Sequence, residues 1–308
     1  MTRFPPVNLT MSIRQRLLNL GVHRGEDPNL TLTRYALERL WYRRACSESG
    51  GQFLLKGALL FALWMEPPHR PTRDLDLLGF GEASSERLHT VFQRLCAQHV
   101  EPDGRVFDAR TIHVTAIREG QAYPGQRVKL AALLGTAPIP VQIDVGFGDA
   151  VAPQAMEIGY PALLDLPAPR LRAYPPETMV AEKLEALVTL GVQNSRLRDF
   201  YDLWIIARQF SFEGPTLVAA VGATFKRRRT DIPNTVPTGL SEEFATDEHK
   251  RTQGKAFLTR NQLVQAKIEL SSVIDALRII LMPVLNAAAN DRGFDHSWAN
   301  GGPWAAKQ

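Results

Sequence analysis

Cysteine is almost missing from this chain of 308 residues: Cys46 and Cys96 stand fifty positions apart, with no CxxC or Cys/His ligand spacing near them. That scarcity excludes a disulfide-stapled scaffold and a zinc site, and it agrees with a reduced compartment. The seven histidines form no pair at metal-ligand spacing. No GxSxG, GxxxxGK[ST] or GxGxxG pattern occurs, so serine-hydrolase, P-loop and Rossmann chemistries lose their main support. Long apolar runs are lacking too. Residues 54–65 are interrupted by Lys56, and residues 279–285 fall far short of the ~20 that a spanning helix requires. The opening residues 1–10 lack the basic-then-apolar form of a signal peptide. The expectation is a cytoplasmic protein with no membrane partner.

What is present is ordinary globular material, 44% hydrophobic and 22% charged, with a formal net charge of +4. Such a chain buries a real core, and its length suggests two domains or one domain with a large helical extension. The mild positive excess is compatible with a nucleic-acid partner without pointing to one. Apolar residues recur at helical spacing over residues 12–20 (Ile13, Leu17, Leu20) and 32–45 (Leu37, Leu40, Trp41), with basic residues on the opposite face. Thr31 and Thr33 offer capping hydroxyls to the second helix, and Ser49-Gly50-Gly51 offers its stop. A third apolar stretch, 53–64, runs into Pro67-Pro68. The period then changes to two at Asp74-Leu75-Asp76-Leu77, a short strand closing at Gly79. Ser84 and Ser85 precede a helix with Leu88, Val91, Phe92 and Leu95 on one face. Strand-like runs follow at 110–117, 127–134 and 141–147.

Pro161, Pro167, Pro169, Pro175 and Pro176 crowd the next stretch, which reads as a linker without regular structure. The expected division is 1–165 and 166–308. Helices are expected at 177–190, 197–210, 215–226 and 260–286, giving an all-helical second lobe. Residues 227–254 read as a long surface loop. The tail from 292 to 308, with Trp298 and Trp304, either docks or stays disordered.

The strongest local chemistry is Arg73-Asp74-Leu75-Asp76-Leu77-Leu78. Strand alternation puts both carboxylates on one face and the leucines on the other. Two adjacent carboxylates persist as anions beside a cation, either Arg70 or Arg73 or a divalent metal. Val141-Gln142-Ile143-Asp144-Val145 places a third aspartate within a run suited to burial, either facing solvent at a strand edge or joining Asp74 and Asp76 in an all-oxygen Mg²⁺ site. Three such aspartates suit phosphoryl or nucleotidyl transfer. Lys56-Gly57-Ala58 joins a strand end to a helix, where Gly57 allows close backbone approach to phosphate or simply opens the helix. On later helices, Lys183 either pairs with Glu182 and Glu185 or points at a triphosphate. Arg198, Asp199 and Asp202 lie on one helical side and orient a cation or serve the helix N-terminus. The run Lys226-Arg227-Arg228-Arg229 reads as a solvated helix end or an RNA-phosphate contact.

In order and spacing, Leu54-Leu55-Lys56-Gly57-Ala58, Arg70 to Leu78, Val141 to Val145, Glu182-Lys183-Leu184-Glu185-Ala186 and Arg198-Asp199-Phe200-Tyr201-Asp202-Leu203 resemble the AbiEii/AbiGii toxin family of nucleotidyltransferases. The resemblance spans about residues 13–210. It implies an α+β (α/β) fold, a DNA-polymerase-β-like core with a small mixed sheet plus a helical C-terminal lobe. It also implies the toxic half of a toxin–antitoxin or phage-defence pair, with a cognate antitoxin as partner. By position, Asp74, Asp76 and Asp144 match the family's metal ligands, Lys183 the lysine that holds nucleotide phosphates, and Asp199 and Asp202 the acids of the last motif. Lys56, Gly57, Ala58, Arg73, Lys183 and Arg198 then form the nucleotide-binding set. Ala58 stands where many nucleotidyltransferases have Gly or Ser, which removes a hydroxyl contact to phosphate.

The expected reaction is Mg²⁺-dependent, with two metal ions, an NTP as donor and RNA as acceptor. The resemblance to MenT-like toxins implies the 3′ end of transfer RNA, and Asp144 is the expected base. Two alternatives stand beside it. A small-molecule nucleotidyltransferase would transfer without RNA. A non-catalytic RNA- or antitoxin-binding protein would show no Mg²⁺-dependent nucleotide binding.

Overall fold

The computed structural model describes residues 7–47, 51–66, 70–117, 125–261, 263 and 268–307. Two compact units emerge, residues 1–148 with 156–173 and residues 149–155 with 174–308. The Ser49-Gly50 stop and Pro67-Pro68 lie outside the described residues.

In the first unit, helices α1 (Val7–Arg24) and α2 (Pro28–Ala45) precede strand β1 (Phe53–Lys56), which passes through a 3-10 turn (Gly57–Leu59) into α3 (Leu60–Trp64). Strand β2 (Asp74–Gly79), helix α4 (Ser85–Ala97), strands β3 (Arg105–Ala116), β4 (Gly125–Leu134) and β5 (Ala137–Phe147), and the short strands β6 (Met156–Gly159) and β7 (Arg170–Ala173) complete it. The seven strands form one mixed sheet in the order β3-β4-β5-β2-β1-β7-β6. β2 runs parallel to β5, and β1 runs parallel to β7. Strand β7 therefore lies inside the proline-rich stretch expected to be irregular; Leu171 and Ala173 alternate inward there and are buried.

Ser84 caps α4, its hydroxyl accepting from the Arg87 N–H, and the four expected apolar residues are the buried ones. The cap of α2 differs from expectation. Asp27, not Thr31, accepts from the Asn29 N–H, and Pro28 takes the first helical turn, where a missing N–H costs nothing. The basic face of α2 also departs from the amphipathic reading. Arg39, Arg43 and Arg44 are buried rather than solvated.

Their charge is matched from within. Asp103 accepts from Arg39 Nε at 3.0 Å and from Arg43 at 2.6 and 3.1 Å, while Tyr35 donates to the Asp103 carbonyl at 2.7 Å. Arg44 donates to the Phe53 carbonyl at 2.7 Å and Arg105 to the Leu32 carbonyl at 3.0 Å. Burial opposes the charge on Asp103, yet the Arg43 and Arg39 donors outweigh it and hold its carboxyl below the ordinary range.

The second unit is not all-helical. Helices α5 (Pro176–Leu190), α6 (Leu197–Gln209), α7 (Gly214–Arg228), α8 (Glu242–Thr246), α9 (Glu248–Arg260) and α10 (Leu270–Ala289) accompany a small antiparallel sheet of β8 (Phe212–Glu213), β9 (His296–Trp298) and β10 (Trp304–Ala306). The expected loop at 227–254 is ordered because Leu240 and Phe244 bury, with Phe244 stacked on Phe200 at 5.2 Å. Ser241 and Asp247 cap its two short helices. The helix expected from 260 begins at Leu270. The tail docks: Trp298 donates to the Ala207 carbonyl at 2.7 Å and Trp304 to the Ile280 carbonyl at 3.0 Å. Among the described residues, α10 is long and apolar enough to cross a membrane, with mean hydropathy 1.6. Its Val273, Ile274, Leu277, Ile280, Leu281 and Val284 are buried within the second unit.

Glu38 sits beside the α2 arginines, accepting from the Leu163 N–H at 2.8 Å. Burial pushes its carboxyl from 4.5 up to about 7, against the pull of that hydrogen bond and Arg39. A raised acid pKa means the folded state prefers the protonated form, so Glu38 costs stability as pH climbs from 4.5 to about 7. Denaturant titrations at pH 4.5 and pH 8 should show wild type losing roughly 2–4 kcal/mol relative to Glu38→Gln over that interval. Parallel pH dependence in the two proteins would contradict the assignment.

Candidate active site

The site begins with strand β2, whose leucines bury while Asp74 stays exposed and Asp76 half-buried, as period-two alternation demands. The parallel pairing with β5 sets Asp74 opposite Gln142 and Asp76 opposite Asp144. Paired residues share a face, so the three aspartates expected to converge do stand on one side of the sheet. On the other flank of β2, Lys56 pairs in register with Asp76.

Gly57 follows with φ +72°, and an added Cβ there would overlap the Asp76 carboxylate. Glycine is needed twice over, for the backbone conformation and for the space that the carboxylate occupies. Ala58 is buried, its methyl group turned into the core.

Asp144 has a partner that the sequence reading missed. Arg127 of β4 grips both its oxygens, Nε to Oδ1 at 2.8 Å and Nη2 to Oδ2 at 2.7 Å, with both side chains partly exposed. A signal for it existed. Leu134 and Ala137 flank a two-residue turn, Gly135-Thr136, with Gly135 at φ +68°. Counting seven residues back from one side and seven forward from the other brings Arg127 opposite Asp144. Arg73, one residue ahead of Asp74, donates to Asp27 at 2.7 Å.

Among the described residues, no three His, Cys, Asp or Glu side chains cluster closely enough to hold a metal ion by themselves. The donor chemistry nonetheless fits a hard cation of the Mg²⁺ class. That ion is commonly held by one or two carboxylates, with water and substrate phosphate completing its shell. Asp74, exposed, and Asp76, half-buried, supply such a pair on one face of β2, and Asp144 beside them accepts from Arg127.

The remaining expected residues lie in the second unit. Lys183 of α5 donates to Asp199 Oδ1 at 2.5 Å and to Asp202 Oδ2 at 2.8 Å, both on α6. Asp202 is fully buried and Arg198 is exposed, so the three α6 residues divide between inside and outside. Glu185 pairs with Arg228 at 2.7 Å, and Asp149 reaches the same guanidinium at 3.1 Å. Burial works against the Arg228 charge, but Glu182, Asp149 and Glu185 outweigh it and raise its pKa. One member of the basic run, Arg228, is therefore a half-buried ion-pair centre rather than a solvated end.

Gly57→Ala should cost about 1–2 kcal/mol from backbone strain alone and displace Asp76, lowering both the thermal midpoint and any activity that uses Asp76. A variant with wild-type stability and activity would contradict the close approach. Asp202→Ala removes a buried carboxylate from the Lys183 ammonium and should lower the unfolding free energy by roughly 2–3 kcal/mol in urea titration. An unchanged midpoint would mean the triad carries no structural weight.

The family model described as nucleotidyl transferase AbiEii toxin, type IV TA system, matches residues 39–276. Among curated proteins nothing matches. Two Helicobacter pylori crystal structures are similar in coordinates: JHP933, at 13% identity over 82% of this chain and 90% of that one, and a candidate nucleotidyltransferase, at 13% identity over 83% and 94%. Each has a TM-score of 0.46. The family match takes in the run from β1 to α6, and with it every candidate residue described above. The chain belongs to the AbiEii family of nucleotidyltransferase toxins of type IV toxin–antitoxin systems.

Proposed function

We propose that this protein transfers a nucleoside monophosphate from an NTP to a hydroxyl of RNA, at the 3′ end of transfer RNA, in a magnesium-dependent reaction at the open face of β2. Membership in the family supports a transferase that uses an NTP and a divalent metal and that has an antitoxin partner. The observation that carries the residue assignment is the placement of Asp74 and Asp76 on one open face, with the Asp76 carboxylate lying against the bare Cα of Gly57.

Asp74 and Asp76 hold the cation, which when bound neutralises phosphate charge and polarises the α-phosphate. Lys56 and the Gly57-Ala58 backbone, on the β1 flank, receive the triphosphate. The acceptor oxygen forms a bond to the α-phosphorus as the bond to the β-phosphate bridging oxygen breaks. Pyrophosphate departs, and the hydroxyl proton passes to a base. Both oxygens of Asp144 accept from Arg127 and each keeps a further lone pair, so Asp144 serves as base or ligand while that pair orients it. Its standing role is to orient the Arg127 guanidinium beside the carboxylate pair, where a fixed positive charge favours a pentavalent, charge-rich transition state. The Lys183–Asp199–Asp202 triad is an ion cluster internal to the second unit.

The test is transfer of each α-³²P-labelled NTP to total cellular RNA, with Mg²⁺ or with EDTA. Wild type should label RNA of tRNA size only with metal. Asp74→Asn and Asp76→Asn should each lower the rate by about 10³-fold or more, about 4 kcal/mol of transition-state stabilisation, with unchanged circular dichroism. Transfer retained by either variant would overturn the metal assignment, and label absent from RNA with every nucleotide would overturn the acceptor.

A further inference from the structure

Strand β2 starts at Asp74, paired with Gln142, but β5 starts five residues earlier, at Ala137. Residues 137–141 of β5 thus pair with β4 on one side only. The resulting notch, between that bare edge and the first turns of α2, is a cleft of about 860 Å³ that ends at Asp74. Its volume is at the upper end of ~300–1,000 Å³ ligand pockets.

Its lining combines three chemistries. Leu32 and Ile139 are apolar and buried, Gln142 offers amide donors and an acceptor, and Arg73 and Lys129 are exposed cations. Arg73 is paired with Asp27, whereas Lys129 has no ion-pair partner among the described residues. Pro138 and Pro140 stand along the bare edge. Prolines lack the N–H a strand ladder needs, so this edge is unsuited to capturing another β-strand.

We propose that this notch binds the terminal nucleotide of a single-stranded polynucleotide acceptor, its base against Leu32 and Ile139 and its 5′ phosphodiester at Lys129. The inference rests on the function proposed above and adds where the acceptor lies. In-line displacement puts the attacking and leaving oxygens on opposite sides of the α-phosphorus. With the triphosphate on the β1 flank, at Lys56 and Gly57, the attacking hydroxyl arrives from the β5 flank, and the notch is on that side. Asp74, Gln142 and Lys129 form one cross-strand row, which places Lys129 two strands from Asp74, about 10 Å away. That distance suits a phosphodiester one sugar back from the reacting hydroxyl.

Lys129→Ala and Lys129→Glu test it, with a short single-stranded RNA bearing a 3′-hydroxyl as acceptor. Lys129 is exposed, so both variants should fold, checked by thermal midpoint. The expected result is a KM for RNA raised about threefold by Lys129→Ala and at least about tenfold by Lys129→Glu, a shallower salt dependence, and a KM for the nucleotide within about twofold of wild type. An unchanged RNA KM, or equal rises in both KM values, would overturn the notch while leaving the transfer reaction intact. If wild type transfers to no RNA, the function proposed above fails first. Fluorescence anisotropy with the same labelled RNA then decides the notch alone: weaker binding by Lys129→Glu supports it, and equal binding overturns it.

Discussion

A single buried carboxylate, Asp103, determines where the long helix α2 meets the sheet of the first unit. Arg39 and Arg43 converge on it, Tyr35 donates to the backbone carbonyl of the same residue, and Arg39 also reaches the Pro167 carbonyl at 2.8 Å. Such buried charge adds little net stability, because desolvation cancels most of the attraction. What it supplies is position: a helix studded with arginines can be buried in only the one register that brings them to Asp103. The first cap of the same helix, Asp27, then ties down Arg73 immediately ahead of β2. Placement of Asp74 is thus connected through the helix to a carboxylate on a distant loop.

The open face of the sheet is organised in cross-strand rows. One row carries Asp76, Asp144 and Arg127, the next Asp74, Gln142 and Lys129. Negative charge gathers on β2 and positive charge on β4, with β5 between them. A phosphate approaching such a face meets cations on one side and a carboxylate pair on the other. A divalent ion can turn that pair from repulsive to attractive.

Much of this was legible in the sequence, where a local period or cap decided it. The Asp74 to Gly79 strand, the Ser84-capped helix, and the turn at Lys56-Gly57 all follow from neighbouring residues. Features that depend on distant partners did not show. The arginines of α2 look solvated until Asp103 is placed among them. The segment 227–254 looks like a loop because its core residues are few, among them Leu240 and Phe244, and Phe244 packs on Phe200 far away in sequence. At the candidate site the aspartates were visible as residue types. Their relation to Gly57 and Arg127 was carried by strand register, of β1 on β2 for Gly57 and of β4 on β5 for Arg127, and the Gly135-Thr136 turn encodes only the second.

The path of the chain has one further consequence. The backbone leaves the first unit at Gly148, contributes residues 149–155 to the second, returns for β6 and β7, and leaves again after Ala173. The excursion supplies Asp149 to Arg228 and the Ala152 backbone to the Thr178 hydroxyl. No single cut leaves both pieces intact: a fragment from 174 onward lacks Asp149, one of the carboxylates around Arg228, and one ending at 148 lacks the strand beside β1. During synthesis on the ribosome, the first unit cannot complete its sheet until part of the second has already emerged. The two units are therefore interleaved along the chain rather than laid end to end.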